Sequence, residues 1–202
     1  MKIAVVSIDS DIGTEITQQH RARGDDVYTT SRNGKGNVHM ELSMPHTWWM
    51  PTVSIDRLYY NIGVGDDRLS RQEVINVNTF LTVDYLQRVA QAVKGQHRTH
   101  PLQIVVYTSE WGSISNVRNA RALHYRMSKA ALNMGIACMA QRWTHVQWLL
   151  LHPGLVRTKM LKGEFNVPVL TTVESAMKTI ATLDHWNGSF KFLTYDGRTL
   201  DW

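Results

Sequence analysis

One cysteine, Cys138, stands among 202 residues, so no disulfide can form within them. A lone thiol in an apolar stretch is expected to serve as a buried small hydrophobe. No run of 18 apolar residues occurs, which argues against a membrane-spanning helix. Residues 1–13 carry one lysine and an apolar run too short for a secretory leader, so they read as a first strand. These absences favour the cytoplasm. The nine histidines are dispersed, without H-E-x-x-H or paired ligand spacing, and no metal site is expected. Asn187-Gly188-Ser189 fits a glycosylation sequon, but without a secretory leader it reads as a turn. Positive charge is also not gathered in one place. The net charge is +5, but Arg and Lys are scattered, most densely at Arg118, Arg121 and Arg126. Nucleic-acid binders concentrate such charge on one face. Scattered charge implies a general attraction for polyanions, so neither a specific nucleic acid nor a membrane is expected as a partner.

What is present is an ordinary globular composition, 43% hydrophobic and 19% charged. The length suits one α/β domain covering residues 1–202. No repeat, low-complexity tract or linker divides it. Short β-branched runs alternate with amphipathic ones. Strands are predicted at 2–6, 27–30, 38–42, 55–60, 102–108, 146–151 and 190–193. Helices are predicted at 12–23, 71–93, 123–143 and 173–183. Alternation of this kind implies a doubly wound parallel sheet with helices on both faces. One crossover departs from the pattern. Between the third and fourth strands only about a dozen residues remain, near the lower limit for parallel strands. Pro45 and Pro51 discourage a long helix there. Trp48 and Trp49 are expected to cover the sheet in its place, an aromatic substrate platform being the other reading.

Three chemical signals follow in order. Tyr125 and Lys129 are four residues apart on a predicted helix, so the phenol and the ammonium share a face. A positive charge beside a phenol favours its ionised form, which suits proton exchange with a carbonyl or alcohol oxygen. By themselves the two would equally serve as a solvated surface pair. Sixteen residues earlier, Ser109 ends a buried strand, where open α/β sheets hold their ligands. After the Tyr/Lys helix comes another apolar strand and then Pro153-Gly154-Leu155-Val156-Arg157-Thr158. Strand–serine, helix–Tyr/Lys and strand–P-G-x-V-x-T, in this order, resemble the short-chain dehydrogenase/reductase family. The resemblance covers the whole chain and is nearest to its C-factor and sniffer-type carbonyl reductase-like branch.

The resemblance implies a Rossmann-type fold, an NADP (NADPH) cofactor and a small carbonyl or alcohol substrate. It implies a catalytic set of Asn78, Ser109, Tyr125 and Lys129. By the same likeness, Ser10, Ile12, Gly13, Arg32, Glu41, Leu42, Asn61, Gly63, Tyr125, Lys129, Pro153, Gly154, Val156 and Thr158 would contact the cofactor. Arg32 ends the second strand, where NADPH users carry a basic residue for the ribose 2′-phosphate; its other reading is a surface arginine. Pocket walls would come from loops around Gly63–Leu69, Trp111–Arg121 and Met160–Val169. A helix-paired homodimer and a monomer both remain open.

One motif departs from the family. Aligned to T-G-x-x-x-G-I-G, the chain reads Val6-Ser7-Ile8-Asp9-Ser10-Asp11-Ile12-Gly13, and only the last glycine is kept. A carboxylate at position 11, ~6 Å from a phosphate at an effective dielectric of ~20, is unfavourable by roughly 3 kcal/mol before screening. Ser10 or Asp11 could instead cap the first helix. The broken turn keeps a second function open: a C-factor-like signalling or regulatory protein with weak cofactor binding and little turnover.

Overall fold

A computed structural model describes residues 1–65, 69–161 and 167–202; the remaining parts of the two pocket-wall loops lie outside the described residues. Seven strands form one parallel sheet: β1 (Lys2–Val6), β2 (Asp26–Ser31), β3 (Val38–His39), β4 (Arg57–Tyr60), β5 (Leu102–Tyr107), β6 (Val146–His152) and β7 (Lys191–Thr194). Their order is β3-β2-β1-β4-β5-β6-β7. The central strands are buried on both faces, which is why their sequences are continuous apolar runs without alternation. The order reverses between β1 and β4. That reversal opens a crevice beyond the carboxyl ends of these strands, where doubly wound sheets bind ligands.

Two helices cover one face, α1 (Asp11–Ala22) and α5 (Thr172–Asp184). Ile16, Ala176, Ile180 and Leu183 pack there on Ile3, Val5, Val105 and Leu149. A buried polar network joins the same layer. His20 Nε2 lies 2.9 Å from the Tyr59 hydroxyl, and Arg57 donates to the Leu183 carbonyl at 3.1 Å.

The opposite face carries α2 (Arg71–Ile75), α3 (Thr82–Val93) and α4 (Leu123–Arg142). The sequence predicts one helix over 71–93, but residues Asn76–Leu81 form a π-helical segment between α2 and α3. Its cause is polar. Thr82 Oγ1 donates to the Val77 carbonyl at 2.8 Å and lies 2.9 Å from the Tyr60 hydroxyl. Thr79 Oγ1 donates to the Ser128 carbonyl on α4. These bonds insert side chains into the ladder, the usual origin of such bulges.

Where a crossover helix is missing, only a short 3₁₀ turn, Pro45–Thr47, forms between β3 and β4. Trp48 fills the space. It lies in the core, meets Tyr85 edge-on at 5.6 Å and donates its indole N–H to the Leu42 carbonyl. That bond, and the Thr47 hydroxyl taking the Glu41 N–H, turn the chain away from the sheet. β3 therefore stops at His39, short of the predicted Leu42.

Cys138 corrects a third expectation: it is exposed. It lies on the outer face of α4 with Leu123, Met127, Ala131 and Met134, spaced by three and four residues. At the far rim of the sheet the chain doubles back on β7. Leu200 donates to the Phe192 carbonyl, Thr194 to the Arg198 carbonyl, and Trp202 stacks on Phe190. Among the described residues no helix is long and apolar enough to cross a membrane.

Candidate active site

Ser109 follows the carboxyl end of β5, Tyr125 and Lys129 lie in the amino-terminal half of α4, and Asn78 lies in the π segment. Lys129 is 3% exposed, and its Nζ lies 3.5 Å from the Tyr107 carbonyl and 5.8 Å from the centre of the Tyr125 ring. No ion pair to it is found among the described residues. Burial without a compensating anion lowers its pKa from 10.5 to about 8.

Asn78 is fully buried in the π segment. Its Oδ1 accepts the Val64 N–H at 2.8 Å. Its Nδ2 donates to the Val64 carbonyl at 2.9 Å and to Ser128 Oγ at 3.0 Å. Ser128 in turn donates to the Tyr125 carbonyl at 2.8 Å. Both Nδ2 protons are spent, so the capacity left on this amide is that of an acceptor. The widened turn thereby ties the loop after β4 to the helix of Tyr125.

Gly63 lies between these groups. A Cβ placed there would stand 3.2 Å from Lys129 Nζ and 3.6 Å from Asn78 Oδ1. Ser109 ends the β5 segment and accepts the Trp111 N–H at 3.2 Å, starting a 3₁₀ turn over Glu110–Gly112. Trp111 meets Tyr125 edge-on at 6.2 Å, and the Arg126 guanidinium covers its ring at 4.6 Å.

Three contributors escaped the motif reading. Ser128 couples Asn78 to α4. Asn133 accepts from Thr108 Oγ1 at 2.7 Å and donates to the Gly112 carbonyl at 3.3 Å, fixing the segment that carries Ser109. His152, ending β6, faces Glu110 at 3.9 Å, and burial holds its imidazole below its usual value. The spacing of Ser128 and Asn133, three and eight residues after Tyr125, was the signal for the first two.

The β1–α1 turn has a backbone made for glycine. Ser7 adopts φ +73°, the left-handed conformation of the residue it replaces. A Cβ on Gly13 would lie 2.3 Å from the Ser7 carbonyl oxygen, so the one surviving glycine is sterically required. Restoring the first of the two lost glycines should stabilise the chain. A non-glycine residue held at positive φ costs about 1 kcal/mol. Ser7→Gly should therefore raise the melting temperature by about 2–4 °C. A melting temperature at or below the wild-type value would show that the turn holds Ser7 without strain.

Ser10 caps α1, accepting the Gly13 N–H at 2.9 Å. Asp11 reaches across the crevice to the segment after β6. It accepts the Lys159 N–H at 2.8 Å and pairs with Lys159 Nζ at 3.3 Å. Ile12 is partly buried against the α1-side core. Asn61 donates to the Val6 and Ser7 carbonyls at 2.8 and 3.2 Å. Val156 pairs with Leu170, Gly154 has φ +87°, and the Pro153 carbonyl accepts from Ser175. The Thr158 carbonyl accepts the Leu161 N–H. Arg32 is exposed beyond β2, its Nε 3.9 Å from Glu41. Leu42 is buried in the core. Ser10, Gly13 and Asn61 thus meet at the β1–α1 turn, Gly63 lies beside Lys129 and Asn78, and Arg32 and Glu41 lie together beyond β2.

No protein-family model matches the chain. The C-signal protein of Myxococcus xanthus is 34% identical over 118 residues, 57% of this chain and 70% of that protein. Among solved structures, the carbonyl reductase Sniffer of D. melanogaster superposes with a TM-score of 0.82 at 17% identity, over 100% of this chain and 99% of that one. NADPH-bound carbonyl reductase from chicken fatty liver gives 0.81 at 22% identity, over 100% and 98%. A Pseudomonas aeruginosa carbonyl reductase in complex with NADP gives 0.77 at 20% identity, over 100% of both chains. With that relative covered over 70% of its length, and with this sheet order, the chain belongs to the short-chain dehydrogenase/reductase family, as a relative of the C-signal protein.

Proposed function

We propose that residues 1–202 act as one dinucleotide-binding domain, an NADPH-dependent reductase of a small ketone or aldehyde in the cytoplasm. The observation that carries this is Lys129: a buried ammonium beside Tyr125 with no ion pair among the described residues, and with Gly63 leaving space between it and Asn78. A fold has little structural use for such a cation, whereas a site that handles a developing alkoxide does.

The nicotinamide end of the crevice fits the cofactor. Asn61 Oδ1 is buried without a hydrogen-bond partner among the described residues, and Gly63 leaves room beside Lys129. Asn61, Gly63, Lys129, Val156 and Thr158 would hold the nicotinamide and its ribose, with Ser10, Ile12 and Gly13 near the phosphates. The chemistry such a dinucleotide would supply there is hydride donation to a carbonyl carbon. The protein's residues do the rest. Ser109 donates a hydrogen bond to the carbonyl oxygen, and Tyr125 delivers the proton that completes the alcohol. Lys129 favours the phenolate left behind. Asn78 fixes the loop after β4 against α4 and offers an acceptor for a proton-carrying water. The exposed apolar stripe on α4 supports a helix-paired homodimer.

A second reading has its own observation. Asp11 already takes a backbone donor and an ammonium at the phosphate side. A C-signal-like regulatory protein with weak dinucleotide binding would look the same there. Titration of the purified chain with NADPH and NADH separates the two. Under the reductase reading both bind, NADPH more tightly. Arg32→Ala should weaken NADPH by about 10- to 100-fold, the effect of one charge-assisted phosphate contact, and leave NADH unchanged. Equal losses for both cofactors would remove Arg32 from the 2′-phosphate. No binding of either would favour the regulatory protein.

A further inference from the structure

The β1–α1 turn carries an acid that no step above uses. Asp9 extends to the end of β2, where its Oδ1 accepts from Ser31 Oγ and its Oδ2 accepts the Arg32 N–H, both at 2.7 Å. Ser31 Oγ also accepts the N–H groups of Asn33 and Lys35, at 3.0 and 3.1 Å. Gly34, at φ +74°, lets the loop fold back so that these donors converge. The Asn33 and Lys35 N–H groups thus converge on Ser31 Oγ, whose own proton goes to Asp9, and the acid takes the Arg32 N–H as well. The two short bonds are charge-assisted, the stronger kind, and they lie beside the arginine that the 2′-phosphate of NADPH would need.

We propose that Asp9 is a specificity-determining residue, an internal competitor whose carboxylate holds the donors that a ribose 2′-phosphate would use. The inference rests on the dinucleotide reading above. Arg32 and Asp9 then pull in opposite directions. The guanidinium favours the 2′-phosphate. The carboxylate must be displaced from Ser31 and Arg32 N–H before the phosphate can enter, and it repels the phosphate if it stays near. A ribose with free hydroxyls meets no such conflict, since a carboxylate at this end of β2 can accept from its 2′-OH.

The test is calorimetric titration of the whole chain as wild type, Asp9→Asn and Asp9→Ser. NADPH, NADH, adenosine 2′,5′-bisphosphate and adenosine 5′-monophosphate serve as probes. The last two isolate the adenosine end and differ by the one phosphate. Thermal melts establish that each variant is folded, and two replacements of different shape guard against a local defect in one. NADPH and the bisphosphate should bind both variants at least about tenfold more tightly than wild type, while NADH and the monophosphate gain nothing. If the affinity ratio of phosphorylated to unphosphorylated probes stays at the wild-type value in both variants, Asp9 does not set the choice, and the dinucleotide reading survives. If no probe binds any of the three folded proteins, both the inference and the reductase reading fall.

Discussion

Replacing Tyr125 by phenylalanine should lower kcat by about three orders of magnitude, the usual contribution of a positioned general acid. The substitution removes one oxygen and keeps the ring. The edge-on contact with Trp111 at 6.2 Å and the place of the ring beside Lys129 should therefore persist. Dinucleotide affinity and KM should change little, because the phenolic proton is transferred only in the transition state. The measurement is steady-state turnover on a carbonyl compound that the wild type reduces, together with a dinucleotide titration of the variant. Turnover within tenfold of wild type would assign the proton to another group. It would also dissolve the site built around α4.

Lys129→Met should have two effects of opposite sign. Activity should fall at least as far as in the tyrosine variant, since the ammonium both favours the phenolate and contacts the cofactor ribose in the proposed mechanism. The free protein, however, should become more stable at neutral pH. A pKa moved from 10.5 to about 8 by burial means that the folded state disfavours the charged form by roughly 3 kcal/mol. The sign follows from proton counting. Between about 8 and 10.5 the unfolded chain holds a proton on this lysine that the folded chain has released, so wild-type stability gains as pH rises through that window. Below about 8 both states are protonated and the full penalty applies. At pH 7 the methionine variant should melt at least about 4 °C above wild type. Its advantage should shrink by pH 10. A lower melting temperature at pH 7 would mean that the lysine is stabilised in place and not strained by burial.

The fold was largely legible because strand and helix alternate with clear periods and the strands at the centre of the sheet are mostly apolar. β3 was misjudged at its end because two tertiary hydrogen bonds, to Trp48 and Thr47, override the extended preference of Glu41-Leu42. The break in the helix at Asn76–Leu81 depends on Thr79 and Thr82 bonding outside their own turn, which helical periodicity does not encode. Cys138 was assigned inward from its apolar neighbours, but small residues along α4 leave its phase ambiguous. The candidate catalytic positions were read from local spacing, a strand end and the family resemblance. Asp9 was not. Its significance arises from Ser31 and Arg32, more than twenty residues away and adjacent only through the β1–β2 pairing.

The rims of the sheet have a consequence for how copies of this chain meet in a crowded solution. An open strand edge is a template on which another chain can add and begin a fibril. Here one rim ends in the two residues of β3, too short to seed such pairing. The other is sealed by the returning segment, whose Arg198 and Leu200 bond to Thr194 and Phe192. Changes that loosen this returning segment would expose the apolar edge of β7. Such changes should therefore reveal themselves as clumping before they reveal themselves as lost helix.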